Sequence, residues 1–340
     1  MLMLSACTVN HIYTDELFAL DTIISFKLDA IDEQTAKNIV DECKKEIYRL
    51  EKLLSVTHKS SDVYKINHSN TESVKVSDET ALLLRTALSL SQQTDGAFDI
   101  TVYPLMKLYG FDTKKYVVPS QTQINSVLKN VGYNNITISD DNYVSVKNDA
   151  QIDLGGIAKG YIAQVVLKKI ESNQDVNSAI INFGGMICTV GQSDRNDNGL
   201  FSIGVEYPSS QGDYFAVFYS SGATTSGSYQ RFFEQDSKRY HHIIDAKTGK
   251  PSDSSLSSVT IANLSDHFAD GMSTAFFVMG VDKTIEFIKS HKTPTGDNYS
   301  VIMLSDDKKN VYVTQDLVKD GFEIQSEYKD DIKVHIISLE

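Results

Sequence analysis

Cysteine is scarce in this chain, with three in 340 residues. Cys7, Cys43 and Cys188 lie too far apart for the close spacing of a thiolate metal site or for a framework of disulfides. Cys43 and Cys188 sit in apolar patterns and read as small buried hydrophobes. No apolar run approaches the roughly 18 residues that cross a bilayer as a helix. Positive charge is in deficit: 32 Lys and Arg stand against 45 Asp and Glu, for a formal net charge of −13. Nucleic acid demands a basic surface, so that class of partner is excluded. Any anionic ligand must be held locally, by a metal, a helix N-terminus or a single lysine. Internal repeats, low-complexity tracts and clear linkers are also missing. So are G-x-G-x-x-G, G-x-x-x-x-G-K-[ST] and G-x-S-x-G, which removes the usual dinucleotide fingerprint, the P-loop and the hydrolase elbow. Ser226, without such an elbow, is a poor candidate nucleophile.

The stretch from Asp153 to Tyr161, Asp-Leu-Gly-Gly-Ile-Ala-Lys-Gly-Tyr, stands out. A strand-like approach (Tyr143–Val146, then Ala150 to Ile152) leads into it, and apolar residues at helical spacing follow from Tyr161 to Ile170. The expectation is strand, glycine-rich turn, then a helix beginning near Gly160. Gly155, Gly156 and Gly160 let backbone approach a ligand, and the helix N-terminus with Lys159 suits a phosphate. Asp153 is placed to hold a metal or a ribose hydroxyl. A tight turn with a solvated lysine is the competing reading, and the stretch alone does not decide between them.

With 41% hydrophobic and 23% charged residues, the composition is that of an ordinary soluble globular protein. Residues from Phe18 to Leu28 alternate as one strand. Val40, Cys43, Ile47, Leu50 and Leu54 make Asp32 to Leu54 an amphipathic helix, and Ser77 starts another that runs to about Thr94. A third helix spans Gln121 to Gly132. Ser178 to Gln192 reads as a strand with a Gly-Gly break, and Leu256 to Ala262 as a further strand. Helices follow over Asp266 to Met279 and Val281 to Ser290, ahead of a strand-rich tail. Strands and helices do not alternate strictly, which favours α+β with mixed or antiparallel sheets and packed helices over a doubly wound parallel sheet.

Asp270 and Thr274, four apart on a helix, share a face. A carboxylate, a hydroxyl and a carbonyl from the glycine-rich stretch suit a hard cation such as Mg²⁺. Alternatively, Asp270 is a solvated first-turn acid; its apolar neighbours, Phe268, Ala269, Met272, Phe276 and Phe277, make an unpaired carboxylate costly. His241 and His242 are adjacent in a strand and so point to opposite faces, one toward a cleft and one to the surface. Leu4, Ser5, Ala6 and Cys7 resemble a bacterial lipobox, without the charged and apolar regions of a full signal. The expected organisation is a truncated lipoprotein signal and tether over 1–15 and one catalytic domain over 16–340. In that reading a lipid anchor on Cys7 holds the protein on the outer face of the cytoplasmic membrane.

Taken in order, seven segments resemble the FAD:protein FMN transferase family, also called ApbE or the thiamine-biosynthesis lipoprotein family. They are Ser55 with Ser61 to Asn67; Thr94 to Thr101 with Pro104 and Leu105; Asp153 to Tyr161; Asn182 to Gly185; Thr225 to Arg231; His242 to Asp245 with Thr248 and Gly249; and Ala269 to Thr274. Together they run through the chain from about residue 18 to residue 290.

The resemblance implies an ApbE-like fold of two intimate subdomains. It implies that the enzyme uses Mg²⁺ to move FMN from FAD onto a threonine of a target flavoprotein, with AMP leaving. The target motif is similar to Asp-Gly-x-Ser/Thr-Gly/Ala-Ala-Thr. Carried over by position, Asp270, Thr274 and the Gly156 carbonyl hold the metal. Ala97, Phe98, Asp99, Asp153, Lys159 and His242, with Leu20 and Thr57, contact the flavin nucleotide. His242 or a carboxylate near the metal, such as Asp270, is the base. Departures from the family pattern include Thr57 where an aromatic residue is usual, Met186 after Gly184-Gly185, and Ala246 in place of proline. The alternatives are an FAD pyrophosphatase, with water replacing the threonine, and a flavin-binding lipoprotein without turnover.

Overall fold

The computed structural model describes residues 11–70, 72–193, 196, 198–208 and 212–339. Nine strands form the central sheet, and they lie side by side in the order in which the chain makes them. They are His11–Ala19, Thr22–Ala30, Val176–Asn182, Met186–Gly191, Gly222–Gly227, Leu256–Ala262, Ser300–Ser305, Asn310–Thr314 and Lys333–Ile337. Neighbours are antiparallel except for the last pair, which is parallel. Everything else is inserted between successive strands. The helices are α1 (Glu33–Leu54), α2 (Asp62–Asn67), α3 (Asp78–Gln93), α4 (Tyr103–Tyr109), α5 (Gln121–Leu128), α6 (Gly155–Glu171), α7 (His267–Ser290) and α8 (Gln315–Lys319). This is the mixed α+β architecture expected from the sequence.

Alternation along the strands decides what covers each face. Val259, Ile261, Val301 and Met303 point into the main core, where they meet apolar side chains of α1, α6 and α7 such as Ile47, Ile162 and Phe276. Ala262, Ile302 and Leu304 point the other way, into a second core with Ile203, Phe215 and Phe218. Those last three residues belong to a small sheet of Phe201–Glu206, Tyr214–Ser220 and Glu323–Ile324. Each large apolar side chain buried this way contributes about 1.5–3 kcal/mol. Toward the first strands, outward side chains on the second face are exposed, Phe18 by 66% and Ile23 by 59%.

Helices α1 and α3 form where the apolar spacing and the caps place them, and α5 starts as expected but ends at Leu128 rather than Gly132. Asp32, Ser77 and Ser120 each accept a hydrogen bond from a backbone N–H of the first turn. Several expectations need correction. Phe18 to Leu28 is not one strand but parts of two, because Leu20 and Asp21 (φ 53° and 61°) turn the chain into a hairpin. The strand begins at His11, so residues 11–15, read as tether, lie in the sheet. Cys7 lies outside the described residues. The Gly-Gly break is a second hairpin turn, with Gly184 and Gly185 at φ 69° and 98°. The two helices expected after Asp266 are borne out: α7 is two helices that meet at Gly280, whose non-helical φ of 75° breaks the run between Met279 and Val281. Cys43 and Cys188 are buried and unbridged, as read.

Candidate active site

Helix α6 starts earlier than its apolar pattern indicates. It begins at Gly155, so Gly155 and Gly156 form its first turn and Gly160 lies inside it. Asp153 accepts the Gly155 N–H at 2.7 Å and closes the entry. Gly160 serves packing rather than a turn. A Cβ there would stand 2.2 Å from the Asp266 carbonyl oxygen, so only glycine lets α6 lie this close to the start of α7. Phe98 fills the space over Gly156, where an added Cβ would come within 3.1 Å of its ring.

That contact brings Asp270 to α6. The Asp270 side chain is 3% exposed, and its two oxygens accept from Lys159 Nζ at 3.1 Å and from Gly160 N–H at 3.0 Å. It is therefore not a solvated acid, and Lys159 is not a free surface charge. A buried carboxylate without partners would cost several kcal/mol, which this pairing offsets. Thr274, one turn on, lies with its Oγ1 3.2 Å from Ser226 Oγ, which also bonds Ser273 Oγ at 2.8 Å. Among the described residues Ser226 has no histidine hydrogen-bond partner, and it belongs to this hydroxyl cluster.

The donor set fits a hard divalent cation. Carboxylate, hydroxyl and carbonyl oxygens are what such an ion takes. The Gly160 N–H that helical geometry would assign to the Gly156 carbonyl donates to Asp270, so that carbonyl does not hold the donor to itself. Among the described residues no group of three His, Cys, Asp or Glu side chains could hold a metal, so further ligands must be neutral oxygens or substrate phosphates.

His242 approaches from the insertion between Gly222–Gly227 and Leu256–Ala262. Its Nδ1 lies 3.1 Å from the Arg231 carbonyl oxygen. A carbonyl only accepts, so Nδ1 carries the proton and Nε2 keeps its lone pair. Burial, with Arg231 nearby, pushes this imidazole down to about 3 from the usual 6.5. Neither histidine is at the surface. His241 is buried, packs edge-on against Phe277 at 5.5 Å and donates from Nε2 to the Ser252 carbonyl. Burial lowers its pKa as well.

One cavity of about 1090 Å³ gathers every residue expected at the site: Leu20, Thr57, Ala97, Phe98, Asp99, Asp153, Gly156, Lys159, His242, Asp270 and Thr274. Their parts differ. Asp99 is in the wall, but its carboxylate faces inward, accepting from Thr101 N–H and Oγ1 and from Tyr133 N–H. Burial raises the pKa of Asp99 and of Asp153. Leu20 is fixed at the rim by its N–H bond to Glu51 Oε1 at 2.7 Å.

The role of Arg231 escaped the sequence reading. Its guanidinium lies 3.5 Å from Asp21 and 3.2 Å from the Phe111 carbonyl, and Asp21 is also bonded by Lys114 at 3.0 Å. Three distant segments meet there, and no local pattern marks such a contact. Tyr103, Phe111 and Tyr229 also line the cavity, and aromatic identity alone did not single them out.

The ApbE family model matches residues 20–295. The chain belongs to the ApbE family. The FAD:protein FMN transferase of Klebsiella pneumoniae (strain 342) is 32% identical over 281 residues, covering 81% of this chain and 84% of the relative. That of Vibrio cholerae is 30% identical over 77% of this chain and 79% of its own length. Among solved structures, the ApbE protein of Thermotoga maritima superposes with a TM-score of 0.77 at 31% identity, covering 95% of this chain and 100% of that one. The flavin transferase ApbE of Vibrio cholerae gives 0.72 at 27% identity, covering 94% and 100%. By this membership the protein is an enzyme of the transferase class.

Proposed function

We propose that this ApbE-family protein is a Mg²⁺-dependent FAD:protein FMN transferase that attaches FMN to a threonine of a target flavoprotein and releases AMP. The observation that carries the proposal is the convergence in one cavity of Lys159 on Asp270, the α6 N-terminus and the free Nε2 of His242. FAD is the substrate. Lys159 and the N–H groups at the start of α6 hold its pyrophosphate oxygens. Asp270, Thr274 and the Gly156 carbonyl would hold Mg²⁺, which when bound neutralises phosphate charge and stabilises the leaving AMP.

The acceptor threonine Oγ attacks the phosphorus on the FMN side. The bond to the bridging oxygen breaks, and AMP leaves with that electron pair. The hydroxyl proton passes to His242 Nε2, whose ring is oriented by the bond from Nδ1 to Arg231. Asp270 serves that reaction less well as a base, because both its oxygens are already bonded. The raised negative charge of bound pyrophosphate would counter the neighbouring Arg231 and make His242 more basic in the complex.

The deciding experiment incubates the protein with FAD, Mg²⁺ and a substrate domain carrying the threonine motif, and follows flavin fluorescence in a denaturing gel. A fluorescent band that vanishes with EDTA is expected, and His242→Gln should lower kcat about 10²–10⁴-fold. AMP release without a band would mark a pyrophosphatase, and neither product would mark a flavin binder. The same proposal lipidates Cys7 and holds the enzyme on the outer face of the cytoplasmic membrane. Its support is the lipobox-like Leu4 to Cys7, and detergent-phase partition of the full chain expressed in bacteria tests it.

A further inference from the structure

The lining of the cavity includes residues assigned to neither FAD nor metal. Among them is a lobe contributed by Ile180 and Ile187 of the central sheet and by Ser202, Gly204 and Glu206 of the strand Phe201–Glu206. This strand is the end member of its three-stranded sheet, and among the described residues no strand pairs with its outer edge. An open edge of this kind offers unpaired N–H and C=O groups to any extended chain that reaches it.

Tyr214, 51% exposed, lies across Gly204, where an added Cβ would stand 2.3 Å from its ring. The Tyr214 ring therefore occupies the face of the strand at Gly204, beside the open edge. An extended segment can pair along such an edge while carrying a side-chain hydroxyl into the cavity.

We propose that the lobe binds the acceptor protein as an extended segment, added as a strand along the outer edge of Phe201–Glu206, which delivers its hydroxyl toward His242. The inference rests on the protein-acceptor reading above and deepens it. Main-chain bonds to the edge supply affinity independent of sequence, and Ile180 and Ile187 offer apolar lining to the residues beside the threonine.

Hydrogen exchange on the wild-type protein with FAD and Mg²⁺, with and without a twelve-residue peptide carrying the threonine motif, tests it directly. Exchange across residues 201–206 should slow when the peptide is added and not with FAD alone. In parallel, Ser202→Phe, an exposed position outside the FAD and metal residues, should raise KM for the peptide about tenfold, with the Kd for FAD unchanged. Protection by FAD alone, or weaker FAD binding by Ser202→Phe, would assign the lobe to the flavin and overturn the proposal. Unchanged exchange and unchanged KM, with transfer intact, would overturn it while leaving the transferase standing. If the wild type flavinylates neither peptide nor domain, the transferase reading itself fails and this inference falls with it.

Discussion

Asp270 is a buried carboxylate whose charge is met by one ammonium and one backbone N–H, and removing either leaves the other to carry the whole desolvation cost. Lys159→Met keeps the length and apolar stem of the side chain and deletes only the ammonium. The Lys159 side chain is 26% exposed, so solvent screens part of the pairing. Unfolding free energy from urea titration should therefore fall by about 1–3 kcal/mol, rather than by the larger loss of a fully enclosed pair. The same substitution should weaken FAD about tenfold in a fluorescence titration, because the ammonium proposed to hold the pyrophosphate is gone. A variant as stable as the wild type and equally tight for FAD would show that Lys159 does neither job.

At the scale of elements, α6 and α7 set the distance between the glycine-rich turn and the face that carries Asp270 and Thr274, and Gly160 is where they touch. Alanine has the higher helix propensity, worth up to about 1 kcal/mol at an interior position. Against this stands a Cβ 2.2 Å from the Asp266 carbonyl and 2.7 Å from the His267 Cα, both on backbone that cannot swing aside. The clash is the larger effect. Gly160→Ala should lower the urea midpoint by an amount equivalent to about 1–3 kcal/mol and lengthen the Gly160 N–H bond to Asp270. An unchanged or higher midpoint would mean that the two helices are not held in contact there.

Elements of this kind also separate what was legible in the sequence from what was not. Helix α1 was legible because its apolar spacing and its Asp32 cap agree. The residues expected at the site come from separate short segments, and the fold brings all of them to one cavity. The first hairpin was not legible, because a non-glycine pair turns it. Leu20 and Asp21 are held at positive φ by partners far along the chain, Glu51 for the first and Lys114 and Arg231 for the second. The start of α6 was missed for a related reason. Glycine is a poor helix former, and Gly155, Gly156 and Gly160 are helical here because Asp153 closes the entry and α7 packs against the turn.

For the whole molecule, the two adjacent histidines set a dependence on acid. In the folded state His242 is held down to about 3 from an ordinary 6.5, and His241 is lowered as well. Between those two values the unfolded chain binds a proton at His242 that the folded protein does not. Stability therefore rises with pH across this window and falls as pH drops below about 6.5, by up to about 1.4 kcal/mol per pH unit for each fully neutral imidazole. Two effects run the other way. Burial raises Asp99 and Asp153, so their protonation relieves the folded state as pH falls. Acid also reduces the self-repulsion of a chain with a formal net charge of −13. A single melting curve mixes all three, but a difference isolates the histidine. His242→Gln retains a donor for the Arg231 carbonyl and does not titrate, so it should melt increasingly above the wild type as the buffer is taken from about pH 7 to about pH 5. If the gap between the two melting temperatures stays constant over that range, His242 takes up its proton in the folded protein as readily as in the unfolded chain. The imidazole would then be charged rather than neutral at mildly acidic pH, and it could not serve as the base there.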